Sequence, residues 1–160
     1  MKKYVKNALL YILLAVCLLV FTAFENFPRG SILYFRPSLT VCICLCLARP
    51  QLFSVIICAV YGITADIFSL CLPVFSLLYL YISSGCVWSV RLFVSFSKKA
   101  VFFTCFFALA GFCVMGFLID FLLFENFALS AKTALYWVLF SLINASLSPI
   151  VYGILKRAEN

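Results

Sequence analysis

The sequence contains no histidine. That absence removes the usual general base, leaves no Ser–His or Cys–His nucleophilic pair, and takes away the commonest metal ligand. Charge is scarce too: Asp, Glu, Lys and Arg make up 11% of the chain, with 12 basic residues against 5 acidic ones. A domain of 160 residues dissolved in water needs a more heavily charged surface, so the composition argues against a soluble globule. No connection between apolar runs exceeds about a dozen residues, which leaves no room for a soluble domain or a nucleotide-binding loop. There is no CxxC pair and no low-complexity tract.

What the chain does contain is apolar: 67% of residues are hydrophobic and the mean hydropathy is +1.22. Lipid as solvent removes the need for a charged surface. The net charge of +7 sits at the ends of apolar runs and forms no basic face, which reads as a topology signal and not as a nucleic-acid patch. Nine cysteines occur, nearly all inside apolar runs. Their spacing suits small apolar fillers; no metal and no cofactor is expected. Cys42, Cys44 and Cys46 fall at every second position and point to alternating sides of a helix.

The apolar runs predict an all-α, polytopic bundle of about six transmembrane helices, near 7–24, 37–48, 51–69, 73–90, 100–124 and 133–155, forming a single domain. The first is expected to be retained and not cleaved, since no small-x-small site follows it. The second is short. Pro37 to Ala48 gives about 18 Å of helix against a hydrocarbon core of about 30 Å. Pro37 suits the first helical position, where a missing N–H costs nothing. Lys2, Lys3, Lys6, Arg49, Arg91, Lys98, Lys99, Lys156 and Arg157 fall on one side of this topology, and Arg29, Arg36 and Lys132 on the other. The positive-inside rule then places both termini in the cytoplasm. Phe24-Glu25-Asn26-Phe27 recurs as Phe124-Glu125-Asn126-Phe127, an echo best read as coincidence in a Phe-rich chain.

Few strongly polar groups lie within the spans: Asp66, Asp120 and Asn144, with Arg36 at the outer start of the second helix. An aspartate near a helix C-terminus and an arginine near an N-terminus each oppose their own helix dipole. A charge cluster of Arg36 with Asp66, and Asp120 nearby, would relieve both. Asn144 is expected to bond to a neighbouring helix, and Pro149 to bend its own. Ser54, Cys58, Gly62 and Asp66 recur every fourth residue, as do Ser141, Ala145, Pro149 and Gly153. Small residues at that spacing let helices approach closely. Gly116 and Asp120 repeat the spacing of Gly62 and Asp66.

Arg36-Pro37 before a short apolar run, then Ala48-Arg49-Pro50, then Gly62-x-x-x-Asp66-Ile67-Phe68-Ser69, resembles the rod shape-determining protein MreD family. Asn144, Pro149 and the Lys156-Arg157 terminus fall at similar relative positions. The resemblance implies a bacterial inner-membrane protein that is not an enzyme. Its role would be a scaffold or regulatory subunit of the elongation machinery directing side-wall peptidoglycan synthesis. The implied partners are membrane lipids and the bitopic protein MreC, and indirectly MreB, RodA and a transpeptidase. It also implies a fold similar to the substrate-binding subunits of energy-coupling-factor vitamin transporters, with Arg36, Pro37, Gly62 and Asp66 as the matching positions. A vitamin-type transporter subunit is the alternative reading, although the Ala-x-x-x-Ala coupling motif of those subunits is absent from the first segment. An intramembrane diaspartate protease built on Asp66 and Asp120 ranks third.

Overall fold

The computed structural model describes residues 36–69, 74–92, 97–124 and 131–157, with the isolated positions 12, 16, 17 and 20. Among the described residues five helices follow one another: α1 Pro37–Ala48, α2 Leu52–Ser69, α3 Val74–Leu92, α4 Lys98–Phe124 and α5 Ala131–Arg157. No strand occurs among the described residues. The segment expected at 7–24 lies outside them, those single positions apart. Two helices, α4 and α5, are long and apolar enough to cross a membrane, while α1, α2 and α3 carry shorter apolar stretches.

Local chemistry accounts for the helix ends. Pro37 opens α1, as its fixed φ and missing N–H suit the first turn. At Arg49–Gln51 the chain turns, with the Arg49 N–H on the Leu45 carbonyl at 2.8 Å and the Ser54 hydroxyl on the Arg49 carbonyl at 2.7 Å. Ser97 caps α4: its hydroxyl accepts the Ala100 N–H at 3.2 Å. That cap moves the start of α4 to Lys98, ahead of the expected position 100. Lys156 and Arg157 complete the last turn of α5, where cations favour the helix dipole and extend the helix past the expected 155.

The short helix is the centre of the molecule. α1 touches each of the other four helices. Ser38 to Thr40 and Cys42 to Leu47 are all buried, so α1 has no outward face except at its edges. This explains how cysteines on alternating sides can all be interior. Cys44 lies against Cys105 of α4 at 3.9 Å between sulfurs, and Cys46 against Cys58 of α2 at 3.7 Å. Among the described residues no three potential ligands converge as a metal site needs.

The helices around α1 are polarised in the sense opposite to a helix in water. On α2, Leu52, Ile56, Val60, Ile63 and Ile67 face outward, while Ser54, Cys58, Gly62 and Asp66 face inward. On α5, Leu135, Val138, Leu142, Ile150 and Ile154 are exposed, while Ser141, Asn144, Ala145 and Ser148 are fully buried. The expected small-residue row on α5 therefore holds only for its first half. The buried face leaves Pro149 and Gly153 for Ser148, Tyr152 and Leu155, because a true helix drifts away from a strict four-residue repeat.

Candidate functional site

The sequence features converge at the end of the bundle where α1, α3 and α5 begin and α2 ends. A buried helix start has N–H groups without intrahelical partners, and each must find an acceptor. α3 finds one in α2. Both carboxylate oxygens of Asp66 are used, Oδ1 accepting the Phe75 N–H and Oδ2 the Ser76 N–H, each at 2.8 Å. Asp66 is buried. An anion that is misplaced at the end of α2 is thereby well placed at the start of α3.

Gly62, one turn earlier on α2, makes this contact possible. A Cβ at Gly62 would stand 2.6 Å from the Ser76 Cα and 3.0 Å from the Phe75 carbonyl oxygen. Those atoms are backbone and cannot swing aside. Gly62 and Asp66 thus work as one device: the glycine lets the α3 start come close, and the aspartate holds it there. The similar spacing at Gly116 and Asp120 does not reproduce this, since a Cβ at Gly116 meets nothing within 4 Å. The Asp120 side chain lies outside the described residues.

α1 is held in the same manner by α5. The Arg36 N–H, just before Pro37, donates to the Asn144 side-chain oxygen at 2.8 Å. The Asn144 amide nitrogen donates to the Phe140 carbonyl at 2.8 Å. Thr40 of α1 donates to the Asn144 carbonyl at 3.3 Å, and Cys44, one turn on, reaches the Ser148 carbonyl at 3.5 Å. α1 and α5 therefore run parallel in close contact. Replacing Asn144 by Leu strands the Arg36 N–H and is expected to cost about 2 kcal/mol in detergent unfolding.

Pro149 cannot donate to the Ala145 carbonyl, but the Ser148 hydroxyl does so at 2.7 Å. The freed carbonyl is already satisfied. Pro149→Ala is accordingly expected to shift the unfolding midpoint little, by about 1 kcal/mol or less, whereas Ser148→Ala shifts it more. Thermal denaturation of the two variants side by side checks this order.

The expected direct pairing of Arg36 with Asp66 is replaced by contacts that meet on one residue. Among the described residues the Asp66 carboxylate bonds to α3 N–H groups and not to a cation. The Arg36 guanidinium lies over the Phe75 ring, 5.0 Å from its centroid. Phe75 joins an aromatic series: its ring stacks with Phe112 of α4 at 6.4 Å, Phe112 meets Tyr79 at 6.1 Å, and Tyr79 meets Tyr61 of α2 at 5.2 Å. Phe75 and Phe112 of this series line, with Arg36, a cavity of about 340 Å³ that Gly116, Tyr136 and Trp137 also border.

The sequence signalled which residues matter but not how Asp66 and Asn144 act. A signal was present: a short apolar run starting abruptly at Arg36-Pro37, and another starting just after Pro73, imply two buried helix starts that need outside acceptors. Arg49 was expected at a cytoplasmic loop, yet it is buried at the α1–α2 turn. No protein-family model, curated protein or solved structure matches this chain.

Proposed function

We propose that the chain is a multi-pass, non-enzymatic subunit of the bacterial inner membrane that serves as a scaffold or regulator of the cell-elongation machinery, as its resemblance to MreD implies. In this reading both termini are cytoplasmic. A bitopic MreC-like protein is its direct partner, and MreB, RodA and a transpeptidase are reached through the complex. One observation supports the reading: the interior groups Asp66 and Asn144 hold the starts of α3 and α1, as suits a rigid scaffold. The outward rows of Leu, Ile and Val on α2 and α5 support a lipid-facing surface.

The test is complementation. Removal of the gene is expected to make rod-shaped cells round, and restoring the wild-type chain to bring the rod shape back. Asp66→Ala should fail to restore shape and should lose co-purification with the MreC-like protein, with solute uptake unchanged throughout. Unaltered cell shape on removal would reject the reading. The cavity beside Arg36 favours a second reading, a substrate-binding subunit of a vitamin-type transporter. Loss of vitamin uptake on removal, with shape retained, would establish that reading in place of the first.

A further inference from the structure

The cavity beside Arg36 combines two kinds of wall. Phe75, Phe112, Phe117, Tyr136, Trp137 and Phe140 make half of its lining residues aromatic, and Arg36 supplies a cation. The guanidinium lies over the Phe75 ring at 5.0 Å, a stacking contact that uses its face and none of its planar fork of N–H donors. Among the residues whose side chains are described, which exclude Asp120, the one carboxylate is Asp66, and both of its oxygens are taken by Phe75 and Ser76. Arg36 also sits at the N-terminal, positive end of α1, which adds to the local field. A half-buried arginine beside an aromatic hollow of about 340 Å³ suits a ligand that is anionic at one end and apolar at the other.

We propose that this cavity binds an anionic amphiphile, with a phosphate-type head group on the Arg36 guanidinium and the adjoining apolar chain along Phe112, Tyr136 and Trp137. A membrane phospholipid and a soluble phosphate ester share the head-group chemistry; the apolar wall selects the former. The site stands whether or not the chain serves cell elongation.

The chain supplies its own reporter. It has two tryptophans, Trp137 in the cavity wall and Trp88 exposed on α3. Trp88→Phe leaves Trp137 as the only one. With that protein in dodecyl maltoside micelles, dodecyl phosphate is expected to change Trp137 fluorescence saturably, and inorganic phosphate at equal concentration to leave it unchanged. Arg36→Gln should weaken the dodecyl phosphate response at least tenfold, and Arg36→Lys less. Gly116→Leu tests the hollow independently: a Cβ there meets nothing within 4 Å, so the added side chain fills the cavity without pressing on backbone. It should abolish the response while Arg36 stays in place. A response of equal size to inorganic phosphate would overturn the assignment of an apolar chain. Dodecyl phosphate binding that persists unchanged in Arg36→Gln or in Gly116→Leu would overturn the site.

Discussion

Gly62→Ala is expected to lower the unfolding free energy by about 3 kcal/mol, at the upper end of what overpacking costs, because the added methyl meets backbone. Its Cβ would stand 2.6 Å from the Ser76 Cα, a separation that only a shift of α2 away from α3 can relieve. That shift would also lengthen the Asp66 bonds to Phe75 and Ser76, so packing and polar losses arrive together. Gly116→Ala is the matched control. It makes the same chemical change on α4 with nothing within 4 Å, and should leave stability unchanged or raise it by up to about 1 kcal/mol through helix propensity. Unfolding in detergent, followed by far-UV circular dichroism across a denaturant series, separates the two. Equal effects would mean that the approach of α3 does not set the cost, since helix propensity alone favours Ala over Gly at both positions.

The second large effect is at Asp66. Truncation to Ala leaves the half-buried Phe75 and Ser76 N–H groups without the acceptor they share and is expected to cost about 3 kcal/mol. Asn is an informative partner substitution. Its oxygen can keep one of the two bonds, but its NH₂ then faces the other N–H, and the charge that favours the α3 dipole is lost. Asp66→Asn should therefore fall between wild type and Asp66→Ala. If the carboxylate instead acted chiefly by pairing with Arg36, then Arg36→Gln would destabilise as much as Asp66→Ala does. The bonds to α3 predict that Arg36→Gln costs much less.

How far the molecule could be read beforehand differs from residue to residue. Helix positions were legible because apolar runs and prolines leave strong local traces: α1 starts at Pro37 and ends at Ala48, as the sequence suggests. The inward placement of Ser54, Cys58, Gly62 and Asp66 was legible as a four-residue recurrence. The centrality of α1 was not. Its buried side chains are ordinary apolar and small polar residues, and only the arrangement of four other helices makes them interior. The partner of Asp66 was not legible either. Opposite charges suggested Arg36, but the nearer acceptor demand came from backbone N–H groups, which every sequence carries and no side-chain pattern displays. Asn144 was anticipated to bond across helices. That its target is the Arg36 backbone became clear only from the parallel approach of α1 and α5.

The α3 start is therefore held by a neighbour in a manner that amide exchange can read directly. The N–H groups of Phe75 and Ser76 should exchange slowly in the wild-type chain, and at least tenfold faster in Asp66→Ala, while amides in the middle of α3 keep their rates. Identical exchange at Phe75 and Ser76 in the two proteins would contradict the role assigned to Asp66, and with it the account of how this bundle is held together.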